Sequence, residues 1–501
     1  MAGCKGLNQM NKIDLSVLLE SIKNNQLEDL LITLSSNPSF EVYIVGGAIR
    51  DSLSGLPLPS LDLDLMIKPS HQALNVAEII SSVTQKHYFV LDAERNTYRI
   101  QGDRFQIDVN GIRANEVIDD MFERDFSINS ICIYLPEIVG AIEQKYSIVP
   151  VIDYFQGLAD FSNHIIRAQN PRAFIDDPLR ILRSFRFMAL FSGSIGDTTL
   201  EAMMEARNLL QTVSKERIRD EFVKILFSSH AYPILLQMEE TSILAAFFPF
   251  LDFFNEIDEK YTQKLQVKTH SLETMFYLEQ LLIRIDQANF AFAREMDTIL
   301  KEEFTPGRPK FVLLKIAGLL HDIGKPFTLS FEGDRLRFFD HEQKGAILAT
   351  EWLSEMRFSN QEQDFISVLI ENHMRPHNLS NSDIVTDKAR YRFFRENKEE
   401  SIPLLLLALA DAYATKRIRM GELTSYESFV EDMVRFSLIP AKVKPHPFLD
   451  GTDVMNLLVI NPSKEVGNLL EVLLEQQSLG LIKNREEAIN FIKNKKTNNF
   501  V

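Results

Sequence analysis

Between Leu61 and Leu65 leucine alternates strictly with aspartate, LDLDL. A period of two is that of a β-strand, whose successive side chains point to opposite faces, so Leu61, Leu63 and Leu65 line one face and Asp62 and Asp64 the other. Aspartate is depleted in strands, and two in one strand call for a reason beyond solvation. Residues two apart stand roughly 6.5–7 Å apart at Cα, a span from which both carboxylates can converge on metal ions about 3.5–4 Å from one another, as two-metal phosphoryl transfer requires. A second strand, Phe105 to Val109, repeats the pattern: Phe105, Ile107 and Val109 face inward, while Asp108 projects with Gln106 and Asn110. Asp108 is the natural third carboxylate.

The residues just upstream suit an anion. Val42 to Val45 reads as a short apolar strand, followed by Gly46 and Gly47 and then a helix carrying Ala48, Ile49, Arg50 and Asp51. Without side chains at the junction a phosphate chain can approach backbone N–H groups at the positive end of the helix, and Arg50, in its first turn, reaches the same anion. An amphipathic sheet with solvated aspartates and an ordinary glycine turn explains each piece alone. It does not explain why all of them coincide.

A chain of 501 residues is too long for one core and predicts several domains. Hydrophobic residues make up 45% and charged residues 25%, the balance of a soluble globular protein. No apolar run is long enough to span a bilayer, and Lys5, Asn8, Lys12 and Asp14 interrupt any signal peptide, so a cytoplasmic protein without a membrane partner is expected. Cys4 and Cys132 are far apart and form no CxxC, which excludes a cysteine-rich zinc site. The net charge of −16 excludes indiscriminate coating of nucleic acid. It leaves room for local basic grooves such as Arg180, Arg183 and Arg186, or Arg390, Arg392 and Arg395.

In chain order, residues 1–40 read as a helical lead-in, 41–150 as a head of mixed strands and helices, 151–260 as a helical neck, 261–425 as a helical domain rich in histidine, and 426–501 as a helical tail. After Tyr154 the pattern is helical throughout. In the neck, DDPLRILRSFRF (Asp176 to Phe187) opens a helix with Asp177 as N-cap and Pro178 at N1. Asp177 and Arg180, three apart, share one face and set an acceptor beside a donor fork. That order matches the Watson–Crick edges of cytosine and adenine, and leaves those of uracil and guanine with unpaired polar groups. In ERDFSIN (Glu123 to Asn129), Asp125 reads as a helix cap. Downstream, Leu319 to Lys325 reads as a helix ending in the adjacent metal-type ligands His321 and Asp322.

VGGAIRD, LDLDL, ERDFSIN and DDPLRILRSFRF, in this order, resemble the class II tRNA nucleotidyltransferases and their poly(A) polymerase relatives. The resemblance implies an α+β protein: a polymerase-β-like nucleotidyltransferase head with a mixed sheet and helices, followed by an all-α neck, an HD domain and a tail. It implies a Mg²⁺-dependent enzyme extending the 3′ end of tRNA, with Asp62 and Asp64 holding the metal, Asp108 joining them, and Gly46, Gly47, Arg50 and Arg124 positioning the triphosphate. Asp125 then lies near the sugar, Asn129 completes the motif, and Asp177, Arg180 and Arg183 belong to the base-reading helix. The succession His270, His321-Asp322, Asp411 resembles HD phosphohydrolases, and His341 and His373 stand where dinuclear members add ligands. This implies Ni²⁺ or Mn²⁺ at a second site. His377 and His446 read as packing residues.

Arg113 is followed by only Ala114, Asn115, Glu116 and Val117 before the acidic turn at Ile118 to Asp120, where the resembled enzymes usually carry a flexible loop. That loop assists the change from CTP to ATP. Its absence predicts an enzyme that adds CC and leaves the terminal adenosine to a separate A-adding enzyme. The alternatives are full CCA addition from CTP and ATP, a poly(A) polymerase, and an RNA-binding HD phosphohydrolase with an inactive head.

Overall fold

The computed structural model describes residues 11 to 498, apart from 59, 113–115, 171, 251–253, 255–265, 334, 383 and 440–445. It divides into two compact units, Met1–Val213 and Ser214–Val501.

The first unit is built on a six-stranded sheet. Its strands are β2 (Glu41–Val45), β3 (Leu61–Lys68), β4 (Tyr88–Asp92), β5 (Thr97–Gln101), β6 (Phe105–Gly111) and β7 (Cys132–Tyr134), in the order β4-β5-β6-β3-β2-β7. Neighbours are antiparallel except β3 and β6, which run parallel with Asp64 opposite Asp108 and Asp62 opposite Gln106. Leu61, Leu63 and Leu65 are fully buried with Ile107 and Val109 in one core, which α1 (Ser16–Asn24), α2 (Glu28–Ser35), α4 (Ala73–Thr84) and α6 (Leu135–Gln144) cover. Each buried leucine contributes about 1.5–3 kcal/mol of transfer free energy. A one-residue slip would put Asp62 and Asp64 in that core, so the apolar face holds the register that aligns the carboxylates.

The lead-in is not wholly helical. Asn11–Asp14 forms β1, antiparallel to β8 (Ile148–Val151), because its backbone finds a free edge there before α1 begins. Nor is the chain helical throughout after Tyr154. Ile165–Ile166 and Ser194–Ile195 pair in parallel, and hairpins occur at Glu303–Pro309 and Leu329–Phe338. Strands of two to four residues carry too little periodicity to stand out from helical flanks.

The second unit contains the helices Val267–Asp286, Lys310–Leu320, His341–Glu355, Asn360–Asn372 and Ser401–Lys416. Nearly every residue of Ser401–Lys416 is buried, which marks it as the central helix, and Asp411 is its one carboxylate. Lys315 is buried as well, its Nζ donating to the carbonyls of Leu226 and Ser228 and to Glu279, which also accepts from the backbone N–H groups of Ala231 and Tyr232. Buried charges persist only when paired in this way. Among the described residues no helix is long and apolar enough to cross a membrane.

Candidate functional site

At the junction of β2 and α3 (Gly47–Ser52), Gly46 adopts φ +84° and ψ −137°, a conformation open to glycine. A Cβ on Gly46 would stand 2.7 Å from Asp64 Oδ2. The glycine thus makes room for the carboxylate that β3 presents. Asp62 accepts from Gln106 Nε2 at 3.0 Å, and Asp108 is held by Arg99 of β5, whose Nε and Nη2 each donate at 2.7 Å. Burial, against the pull of Arg124 and with Asp62 and Asp108 adding like charge, pushes the Asp64 carboxyl up to about 6; burial and Asp108 raise Asp62 as well. Three carboxylates on one sheet face, with Asp64 half-buried beside a glycine cradle, fit a divalent cation.

Arg50 is buried and engaged inside the protein. Its Nε and Nη2 donate to Asp51, Nη1 donates to Asn129 at 2.5 Å, and its guanidinium lies 4.8 Å from the centre of the Phe187 ring. Asn129 Nδ2 donates to Asp125 at 2.8 Å, and Asp125 receives Arg183 Nε at 2.9 Å and Nη2 at 2.5 Å. Burial works to raise the Asp125 pKa, but Arg183 and Asn129 outweigh it and hold the carboxyl below its ordinary value. One hydrogen-bonded chain therefore runs from the glycine turn through the ERDFSIN segment to the neck helix, Arg180–Phe191.

Asp125 is not the helix cap expected of it. Phe126 is extended, a single 3₁₀ turn follows at Ser127–Asn129, and the carboxylate is spent on Arg183, Asn129 and the Phe126 N–H. Asp177 is extended, and its Oδ1 accepts the Leu179 N–H at 3.4 Å as the expected cap would, but Asp177 to Arg180 first close a turn through Arg180 N–H to the Asp177 carbonyl at 3.0 Å, so the regular neck helix starts at Arg180, two residues after Pro178. Arg180 Nη2 donates to the Glu123 carbonyl at 3.3 Å. Asp64, Arg124, Asp125, Asp177, Arg180 and Arg183 all line one cleft of about 290 Å³, together with Thr97, Asn110, Gly111, Asp120 and Glu123. Sequence reasoning missed Arg99 and Thr97, since a single arginine or threonine on a neighbouring strand has no pattern of its own. Residues 113–115 of the expected short connection lie outside the described residues; β6 ends at Gly111 and a helix, α5, occupies Val117–Phe122.

In the second unit His270, His321 and Asp411 form one group of convergent ligand atoms, and Asp322, His341 and His373 another. His270 Nε2 lies 3.0 Å from Asp411 Oδ1 and 3.3 Å from His321 Nε2; His341 Nε2 lies 3.3 Å from His373 Nε2 and 3.6 Å from Asp322 Oδ1. His321, His341 and His373 turn Nδ1 to the carbonyls of Gly318, Phe338 and Ile370, which directs Nε2 inward. Asp322 Oδ1 is buried with no hydrogen-bond partner, as an oxygen reserved for a cation would be. Burial, then the neighbouring His321, brings His373 down to about 3, so it stays neutral and able to ligate. Asp322 and Asp411 are held well below the ordinary carboxylate range, burial opposing and the facing histidines prevailing. A Cβ on Gly324 would lie 2.0 Å from the His341 carbonyl, so glycine there lets the His321-Asp322 corner meet the start of the His341–Glu355 helix. His377 does more than pack: its Nε2 lies 2.8 Å from Asp411 Oδ2.

Residues 42–167 match the family described as Poly A polymerase head domain, 194–254 the probable RNA and SrmB-binding site of polymerase A, and 267–416 the HD domain. The chain is 28% identical over 459 residues to an A-adding tRNA nucleotidyltransferase of Deinococcus radiodurans, covering 90% of this chain and 94% of that protein. It is 26% identical over 474 residues to a CC-adding tRNA nucleotidyltransferase of Geobacter sulfurreducens, covering 94% and 95%. Among solved structures it shares its fold with the Thermotoga maritima CCA-adding enzyme complexed with tRNA, at a TM-score of 0.63 and 20% identity over 97% of this chain and 99% of that one. A CCA-adding enzyme with ATP superimposes with the same TM-score of 0.63 at 21% identity, over 95% and 96%. Head, RNA-binding and HD matches thus follow one another along relatives of nearly equal length, and the chain belongs to the tRNA nucleotidyltransferase and poly(A) polymerase family with an HD domain.

Proposed function

We propose that this protein is a Mg²⁺-dependent tRNA nucleotidyltransferase that adds two cytidines to the tRNA 3′ end. The observation that carries the reading is the alignment of Asp62, Asp64 and Asp108 on one sheet face, with Asp64 lining the cleft that Arg124, Asp177 and Arg180 also line. The carboxylates of Asp62 and Asp64, with Asp108, would hold the divalent ion, which when bound supplies Lewis acidity at the α-phosphate and a lower pKa at the attacking 3′-hydroxyl. Arg124 and the Gly46-Gly47 turn orient the triphosphate. Arg50 acts from behind by fixing Asn129, and through it Asp125 beside the sugar. Asp177 and Arg180 offer an acceptor and a donor that cytosine and adenine satisfy, whereas uracil and guanine would leave buried groups unpaired.

That pair does not separate CTP from ATP. Restriction to cytidine rests on the short connection between β6 and α5, which leaves little chain to rearrange the pocket for a purine. The similarity to an A-adding enzyme favours a second reading, in which the chain adds the terminal adenosine to tRNA already ending in CC. Both are tested with two tRNAs, one ending at the discriminator base and one ending in CC, each given CTP and ATP. Extension of the first by two nucleotides and none of the second supports CC addition. Extension only of the second supports A addition, and efficient extension of the first by three supports CCA addition. Asp62→Ala should abolish incorporation in every case without unfolding the protein, and retained incorporation would refute the metal assignment. The HD residues are assigned a transition metal, Ni²⁺ or Mn²⁺, and phosphohydrolase chemistry that survives Asp62→Ala and is lost with His321→Ala.

A further inference from the structure

Asp411 is held differently from the histidines around it. His321, His341 and His373 are each anchored by Nδ1 on a backbone carbonyl three residues earlier, at 2.7–2.8 Å. Asp411 has a carboxylate of two equivalent oxygens, free to turn unless something tells them apart. Oδ1 lies 3.0 Å from His270 Nε2 and also receives Thr415 Oγ1 at 3.2 Å. Oδ2 meets His377 Nε2 at 2.8 Å, and the opposite ring nitrogen of His377 faces the Tyr426 hydroxyl at 3.3 Å. One tautomer satisfies both contacts: Nε2–H donates to Asp411, and Nδ1 accepts from Tyr426. His377 keeps only 18% of its side chain exposed and Tyr426 is 8% exposed, so water does not replace these partners easily.

We infer that Tyr426 and His377 form an outer chain that positions Asp411, and that the metal position built from His270, His321 and Asp411 depends on it while the position built from Asp322, His341 and His373 does not. The inference rests on the reading of the HD cluster as a metal centre. Its physical content is that a donor fixed on Oδ2 breaks the equivalence of the carboxylate oxygens and leaves Oδ1 turned toward the imidazoles of His270 and His321. Outer partners of this kind are worth about 10–100-fold in metal affinity. Asp322, His341 and His373 have no share in the chain. Tyr426 lies beyond residues 267–416 that match the HD domain, in the helix Thr424–Ser437, so this metal position is completed from outside that domain.

The test uses the full chain carrying Asp62→Ala and Asp64→Ala, which removes head-domain metal binding. It is stripped, reloaded with Mn²⁺, and assayed for bound Mn²⁺ per chain and for affinity by competition with a chelator. Circular dichroism of the metal-free proteins monitors folding. The parent should bind two ions. His377→Leu should keep one and bind the other about 10–100-fold more weakly, His377→Gln should restore most of that loss through its amide donor, and Tyr426→Phe should weaken the same ion several-fold. His341→Ala should lose the other ion. His377→Leu holding both ions at parental affinity would overturn the inference. If His377→Leu does not fold, Tyr426→Phe decides it, and parental affinity there would overturn it too. A parent that binds no Mn²⁺ would instead refute the reading of the HD cluster as a metal centre.

Discussion

Asp108 stands opposite Asp64 across the parallel β3–β6 pair, and Arg99 grips it from the far side with two hydrogen bonds of 2.7 Å. A cation is thus already placed against the carboxylate cluster. Arg99→Leu leaves Asp108, mostly buried, without its donor and beside two other aspartates, at a cost of about 1–3 kcal/mol. The drop in thermal midpoint should be larger without Mg²⁺ than with it, because the ion replaces the lost positive charge. Equal drops with and without Mg²⁺ would show that no ion shares the cluster.

The Asp64 carboxyl, raised to about 6 from the usual 3.8, gives the metal cluster of the head a pH dependence. A raised acid favours the fold most below pH 3.8 and loses that contribution as pH rises through about 6, since the folded protein then holds a partly desolvated negative charge beside Asp62 and Asp108. A divalent ion reverses the sign by preferring the charged form. Mg²⁺ should therefore raise the thermal midpoint little at low pH and fully above neutrality, with apparent affinity falling about tenfold per unit below the Asp64 pKa. Calorimetric titration with Mg²⁺ across this range measures it.

Gly46→Ala tests the cradle. The backbone at φ +84° and ψ −137° costs a non-glycine residue about 1–3 kcal/mol. The added Cβ would also stand 2.7 Å from Asp64 Oδ2 and push the carboxylate off its line. Displacement of that order costs about 10²-fold in rate. Steady-state incorporation of labelled nucleotide should fall mainly in kcat, and a variant with unchanged kcat would show that Gly46 does not position Asp64.

Arg183→Met leaves the buried Asp125 carboxylate with Asn129 and one backbone N–H, and should cost about 3–5 kcal/mol in denaturant unfolding at neutral pH. Asp125 is held below its ordinary pKa in the native protein, so the stability it contributes is present at neutral pH and lost as pH falls through its native value. The difference between wild type and variant should accordingly shrink in acid. Adding Asp125→Asn to Arg183→Met removes the buried charge and should recover part of the loss.

Local chemistry alone determined much of this protein. The alternation in LDLDL specified a strand with two aspartates on one side, since a β-strand separates its faces at every residue, and Gly46-Gly47 marked a backbone open to an anion, while the room Gly46 makes for Asp64 came only with the pairing of β2 and β3. Tertiary structure decided what happens across the chain. Asp125 read as a helix cap because a capping pattern spans three residues, yet it is taken by Arg183, 58 positions away. His377 read as a packing residue because one histidine on an apolar helix has no periodicity to distinguish it. Only folding sets it against Asp411, 34 positions on, with Tyr426 behind it. Short-range patterns express steric and hydrophobic preferences that each segment satisfies alone, whereas a hydrogen bond between distant side chains exists only after the core has fixed where their backbones stand.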